Sequence, residues 1–322
     1  MAKSAINSTI MGKAYEFACI KALEKLLKNV RPIEIVDNNS LRIANERYNE
    51  ISESDQKEML KSALAGMKAI IEMEPRITED GKDIIEVSLQ PDNVAKDGGD
   101  IRDVLIIRRS IKWEIGISVK HNHAALKHSR LSSKLDFGNI WFGINCSDLY
   151  FKEIEPIFNK LKEFKGQKKL WSEIPNKFDT IYVPLLEAFK REFDFLYEKH
   201  PKEITKKLIL YLIGSNGKDY YKMIHYKNNK TRIQPFNLFG TLNQETASKK
   251  PSRIIDKLLL PTKIIDLYFK ENSKTTLILS MNNYWTISFR IHSAENHVEA
   301  SLKFDIQLMG QPSDIFYYDV VW

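Results

Sequence analysis

The sequence predicts an α/β chain, with a mixed sheet flanked by helices in residues 1–215 and a β-rich region in residues 216–322. Three observations predict it. Residues 11–28 carry an apolar stripe at helical spacing, and residues 104–120 alternate with the period of strands. From Asp219 onward, aromatic and branched residues recur in short runs separated by turn residues. Helix, strand, hairpin and helix in succession make a layered α/β core.

In the first helix Glu16, Cys19, Ile20, Leu23, Leu26 and Leu27 share one stripe at spacings of three and four. Glu16 is its odd member, a carboxylate that suits either the helix N-terminus or a cation facing it. Residues 40–50 and 53–74 predict two more helices; Ser52 with Asp55 resembles a capping box, and Pro75 ends the second. Residues 84–89 alternate as a strand does, and the Gly98-Gly99 loop leads into the central stretch. There residues 104–108 are a short run of branched apolar residues closed by Arg108. In the following strand Trp113, Ile115, Ile117 and Val119 point one way, and Glu114, Gly116, Ser118 and Lys120 the other. Residues 123–133 predict a helix bearing Lys127, His128 and Arg130. Residues 150–213 read as largely helical, with lysines at 160, 162, 165, 168 and 169 on a face that is solvated or meets a polyanion. Beyond a boundary at 214–218, residues 275–280, 284–292 and 299–308 predict strands, with Asn282-Asn283 at one turn.

Lys and Arg exceed Asp and Glu by 49 to 42, a net charge of +7 that is compatible with a polyanionic partner. Two cysteines, Cys19 and Cys146, exclude a disulfide framework and fit a reducing compartment. The N-terminal MAKSAINST has no signal-peptide core, and no apolar run reaches the ~18 residues of a membrane span. A cytoplasmic protein is expected.

The central stretch carries the chemistry. If the hairpin reverses at Ser110-Ile111, antiparallel pairing sets Asp103 opposite Ser118, with Lys120 one pleat further on the same face. Asp103 and Lys120 then converge at one end of the hairpin. A slip of one residue would bring Asp100 opposite Lys120 instead, which makes Asp100 the alternative first acid. Glu114 lies six residues from Lys120, about 20 Å along a strand, too far to share a cation with it. An acid before one strand and a lysine ending its partner suit phosphodiester hydrolysis. That reaction needs charge neutralised on the phosphate, an activated water and a stabilised leaving oxygen. Mg²⁺ takes one or two carboxylates, and a neighbouring lysine can orient the water. On this reading Asp103 is the metal ligand and Lys120 the catalytic cation. Ser118 stands where a second carboxylate is expected, so the second acid comes from Glu16 or Asp136.

His121, His123 and His128 fall within eight residues, but no Cys pair or HExxH spacing accompanies them, so structural or phosphate-contacting roles outweigh a zinc site. Lys120, Lys127, His128 and Arg130 form a basic patch beside the acids, able to hold a polyanion backbone, and His121, Asn122 and His123 are further candidate DNA contacts.

The run EIGISVKHNHAALKHSRLS (114–132), preceded by GGDIRDVLI (98–106), resembles the GGCC-cutting, Hae-type family of type II restriction endonucleases. GKAYEFA (12–18) and SFRIHSAENHVEASLKFDIQL (288–308) are similar to that family too, so the resemblance touches both ends and the middle of the chain. It implies a Mg²⁺-dependent endonuclease of the PD-(D/E)XK fold that cuts double-stranded DNA at a short palindrome. It also implies a cognate DNA methyltransferase and, through the symmetry of the target, a homodimer. By position Asp103 matches the first acid and Lys120 the lysine; Ser118 departs from the general pattern and leaves Glu16 and Asp136 as second acids. The β-rich region, with Arg290, His292, Glu299 and Lys303, is the expected contributor to target reading, since Arg and Lys match guanine and acids match cytosine in the major groove. A structure-selective repair nuclease of the same fold and a non-catalytic DNA-binding protein are the competing expectations.

Overall fold

The structure is a computed structural model and describes residues 8–91, 100–122, 127–213, 217–293, 295–310 and 315–322. In chain order the first elements are α1 (Ser8–Leu27), β1 (Ile33–Ile35), α2 (Asn39–Glu50), α3 (Glu53–Met73), α4 (Pro75–Thr78), β2 (Ile85–Leu89), β3 (Val104–Arg108) and β4 (Trp113–His121). There follow β5 (Lys127–Leu131), α5 (Phe137–Phe142), α6 (Asp148–Gly166), α7 (Val183–Lys199) and α8 (Pro201–Leu212). The rest is strand: β6 (Tyr220–Tyr226), β7 (Lys230–Phe236), β8 (Ile264–Phe269), β9 (Thr276–Met281), β10 (Thr286–His292), β11 (Leu302–Gly310) and β12 (Tyr318–Val321). Among the described residues no helix is long and apolar enough to cross a membrane.

The chain forms two compact units. One takes residues 1–124, 217–258 and 314–322, the other 125–216 and 259–313. This differs from a division into 1–215 and 216–322. The chain passes from the second unit to the first at 216/217, and the strands that follow are shared: β6, β7 and β12 complete the first unit, while β8 to β11 belong to the second.

The first unit is built on a seven-stranded sheet of order β1-β2-β3-β4-β6-β7-β12. It is mixed, because β1 with β2 and β4 with β6 run parallel while the other neighbours are antiparallel. The α1 stripe does what its spacing predicts. Cys19, Ile20, Leu23 and Leu27 are buried in one core with Ala63, Met67 and Ile70 of α3 and with Ile106, Ile117, Val119 and Met223 of the sheet. A buried polar chain ties these layers: Tyr15 Oη lies 2.8 Å from Ser62 Oγ, which lies 2.6 Å from Thr231 Oγ1, which accepts from Trp322 Nε1 at 2.9 Å. Each hydroxyl would be costly in that core without its partner. Ser52 caps α3, accepting from Asp55 N at 3.1 Å.

The second unit holds a five-stranded antiparallel sheet of order β5-β11-β10-β9-β8. Its apolar face meets an aromatic cluster in which Trp141 stacks on Phe289 at 5.9 Å and Phe189 meets Phe304 edge-on at 5.0 Å. The helix expected at 123–133 is corrected here. Residues 123–126 lie outside the described residues, and 127–131 form β5, pairing Lys127–Leu131 with residues 306–302 of β11. The reason is long-range: backbone pairing with a strand 171 residues away, as in Leu131↔Leu302, overrides a local pattern that reads as helix.

Candidate active site

The hairpin register decides the site. Val104 pairs with Ile117 and Arg108 with Trp113, around a tight turn at Arg109–Ile111 closed by Lys112 in the left-handed conformation. The same register continues to Asp103 opposite Ser118, with Asp103 N donating to Ile117 O at 2.9 Å. The Asp103 carboxylate therefore lands at the end of β4. Its Oδ2 accepts from Val119 N at 2.6 Å, from Lys120 Nζ at 3.1 Å and from Ser118 Oγ at 3.4 Å. All three bonds go to Oδ2 and none to Oδ1.

Glu16 comes to this end of the sheet on α1. It is 7% exposed, and Lys13, one turn earlier, donates to its Oε2 at 2.9 Å. Burial, and after it the charge of Asp103, pushes the Glu16 carboxyl up from 4.5 to about 7, against the pull of Lys13 and Lys120. Two carboxylates and two ammonium groups thus feel one another in a partly desolvated corner. Desolvation and a neighbouring anion are the causes that perturb carboxyls at active sites, which makes this corner a candidate.

Asp100, the alternative first acid, is occupied elsewhere. Its carboxylate accepts from Arg102 N at 3.0 Å, from Arg102 Nε at 2.7 and 2.8 Å, and from Gln90 Nε2 at 2.8 Å. Burial opposes ionisation there, yet the Arg102 and Gln90 bonds hold the carboxyl below its usual range. Asp136 is likewise committed, in the other unit. It caps α5, accepting from Asn139 N at 2.9 Å and from Cys146 N at 3.1 and 3.2 Å. The expectation of a metal ligand at Asp136 gives way to an N-cap, because an Asp just before a helix satisfies orphan N–H groups. Glu114 faces Arg102 and Lys218 at 3.0 and 3.2 Å, apart from Lys120 as its distance along the strand requires.

The basic candidates separate. His121 stacks on His225 of β6 at 5.0 Å, and burial followed by the neighbouring His225 pushes its ring down to about 4. It is neutral near pH 7 and offers a phosphate no charge. Asn122 sits at φ 51°, lies 3.3 Å from the His121 ring and accepts from Lys227 N at 3.2 Å. His123 lies outside the described residues, as do the side chains of Lys127 and His128, although β5 includes the backbone of both. Arg130 donates to Ser301 Oγ at 2.8 Å, and Arg290 lies 3.5 Å from the buried Asp305. Arg130 pairs with Lys303, and Arg290 with Asp305, so both arginines stand on one face of the five-stranded sheet.

Two participants escaped sequence reading. Lys222 of β6 pairs with Ser118 and is 3% exposed; burial, then the charge of Lys120, pushes its ammonium down to about 7. A lysine inside the apolar run YYKMIHY is the signal that was there to find. The second is Arg102, the residue before Asp103, which is 5% exposed and bonds through its guanidinium to Asp100 and Glu114.

Among the described residues no three or more His, Cys, Asp or Glu side chains gather to hold a metal ion. The set on offer is the pair Asp103 and Glu16, oxygen donors only. That suits Mg²⁺, which takes one or two carboxylates and completes its shell with water and phosphate.

A model of the HaeIII restriction endonuclease family matches residues 12–312. The type II restriction enzyme HaeIII of Haemophilus aegyptius is 43% identical over 312 residues, spanning 97% of this chain and 97% of that protein. No solved structure matches the chain. With the match running through α1, the Asp103–Lys120 hairpin and both units, the chain belongs to the HaeIII restriction endonuclease family and is, by that membership, a type II restriction endonuclease.

Proposed function

We propose that the chain hydrolyses phosphodiester bonds of double-stranded DNA at GGCC with Mg²⁺, using a PD-(D/E)XK-type site of Asp103, Glu16 and Lys120. The observation that carries this reading is the convergence of Lys120 Nζ and Ser118 Oγ on one oxygen of Asp103, at the end of a hairpin that α1 supplies with a second acid. Asp103 and Glu16 would hold the ion, which when bound supplies positive charge against the phosphate. Ser118 and the Val119 N–H fix the Asp103 rotamer, so its Oδ1 is presented without reorganisation. Lys120, 3.1 Å from Asp103, places its ammonium where the attacking water must be oriented and where charge grows on phosphorus-bound oxygen. The water oxygen forms the new bond to phosphorus while the ester bond opposite it breaks.

On the same reading, Arg130 and Arg290 contact DNA from the face of the five-stranded sheet that they share. His121, Asn122, His123, Lys127 and His128 are proposed as further DNA contacts. A palindromic target favours a homodimer, whose two-fold axis matches that of the duplex. An enzyme that cuts so short a sequence requires a cognate DNA methyltransferase to protect the host chromosome, and both would act in the cytoplasm.

The test is digestion of a sequenced plasmid with and without Mg²⁺, beside Lys120→Ala and a GGCC-methylated copy. The expected result is discrete fragments ending at GGCC, seen only with Mg²⁺, blocked by methylation and lost in the variant while DNA binding persists. Fragments at another sequence would overturn the target and leave the chemistry. Cleavage by Lys120→Ala at the wild-type rate would overturn the assignment of Lys120.

A further inference from the structure

We propose that Arg102 is a positioning residue that sets the Asp103 carboxylate, through a clamp it forms across β4 with Asp100, Glu114 and Gly116. The inference rests on the reading of Asp103 as a metal ligand.

The clamp begins one residue before the acid. Arg102 is fastened at its backbone, where its N–H donates to Asp100 Oδ1 at 3.0 Å, and at its guanidinium, where Nη2 reaches Asp100 Oδ2 at 2.5 Å and Nη1 reaches Glu114 Oε1 at 3.0 Å. Asp100 is itself held by Gln90, whose backbone N–H also donates to Asp103 O at 2.9 Å. With Asp103 N bonded to Ile117 O, the backbone of Asp103 is tied on both sides and its neighbour cannot rotate.

Gly116 supplies the seat. A Cβ at that position would fall 2.0 Å from Arg102 Cδ, 2.5 Å from Cγ and 2.7 Å from Cβ, so the stem of Arg102 lies flat on the strand only because residue 116 has no side chain. These are stem atoms, which cannot step aside as a side-chain tip can. Glu114, Gly116, Ser118 and Lys120 alternate along one face of β4, so the clamp and the site are consecutive positions of one face. Charge points the same way. Arg102 and Lys218 balance Asp100 and Glu114, so the network is neutral in itself and leaves Asp103 as the acid that faces Lys120.

A positioning role predicts a defect in metal affinity rather than in folding or DNA binding. The experiment uses the full chain with a GGCC duplex and Mn²⁺ as the probe, with free Mn²⁺ counted by electron paramagnetic resonance. Arg102→Met and Gly116→Ala should each weaken Mn²⁺ binding by about 10- to 100-fold, the range for residues that orient ligands. Duplex affinity in metal-free buffer should be unchanged, and Arg102→Lys should recover part of the loss. In cleavage, the same two variants should need correspondingly more Mg²⁺ while approaching the wild-type rate at saturation. Arg102→Lys keeps the charge and adds no atom to the seat, so it decides the matter should Arg102→Met or Gly116→Ala fail to fold: weaker Mn²⁺ binding than the wild type is expected, and binding equal to the wild type would overturn the clamp. Asp103→Asn separates the two levels. If it binds Mn²⁺ as the wild type does, the ligand reading fails and the clamp falls with it. If it loses Mn²⁺ while Arg102→Met and Gly116→Ala bind normally, the clamp alone is overturned.

Discussion

Glu16 shows what one residue contributes and what it costs. A carboxyl raised from 4.5 to about 7 holds its proton more tightly in the folded chain than in the unfolded one. The contribution of Glu16 to folded stability is therefore greatest below about pH 4.5, falls as the pH rises towards 7, and stays lower beyond it. At about 1.4 kcal/mol per pKa unit the loss is on the order of 3 kcal/mol, already net of the attraction to Lys13 and Lys120. Glu16→Gln should then make the metal-free chain more stable at pH 8 by roughly that amount in urea unfolding, with the gap shrinking below about 1 kcal/mol at pH 5. The same variant should lose Mg²⁺-dependent cleavage. On the proposed reading, the Mg²⁺ needed for half-maximal cutting by the wild type should rise as pH falls below 7, because a protonated Glu16 would be no ligand. Identical pH profiles of stability in the two proteins would refute the assignment. A residue that weakens the empty fold and is kept in its site is expected where a cation offsets the cost.

At the scale of elements, α5 and β5 show how context reassigns side chains. Asp136 satisfies the N-terminus of α5 and the Cys146 N–H, so Asp136→Ala should lower stability by about 1–2 kcal/mol and leave the Mg²⁺ dependence of cleavage as it was. Thermal unfolding beside a metal titration checks this; loss of cleavage in a variant of unchanged stability would return Asp136 to the site. Much of the rest was legible because it is local. The α1 stripe, the Ser52 cap and the Asp103–Ser118 register follow from spacings of a few residues, and the hairpin turn left one register that buries Ile106, Ile115 and Ile117 together. What was not legible is long-range. Lys222 reaches Ser118 through a parallel pairing of β4 with β6, more than a hundred residues on, and the basic segment 127–131 is a strand only because β11 is beside it. Arg102 was hidden differently, since nothing local says that Gly116 leaves room for the stem of an arginine that precedes the neighbouring strand.

For the whole molecule, a net charge of +7 on 322 residues is a modest attraction for duplex DNA, so the placement of individual cations decides how tightly and where it binds. Arg130 and Arg290 share a sheet face but are held differently. Arg130 donates to Ser301 and lies 3.9 Å from Glu299, with 43% of its side chain exposed, a charge that on the proposed reading would meet phosphate. Arg290 is 57% exposed at its side chain and lies 3.5 Å from Asp305, whose side chain is only 6% exposed; on the proposed reading that carboxylate would orient the guanidinium towards guanine. The two substitutions should therefore fail in different ways. Arg130→Ala should weaken binding to all duplexes about equally and make the slope of log K against log salt less negative by about 0.9, the loss of one phosphate contact. Arg290→Ala should leave that slope nearly unchanged and reduce the preference for GGCC over singly substituted sites by about 1–3 kcal/mol. Binding isotherms over a salt series, with both duplex types, distinguish these outcomes. Equal loss on every sequence from Arg290→Ala would make it a second backbone contact, and base reading would then have to come from other positions of the chain.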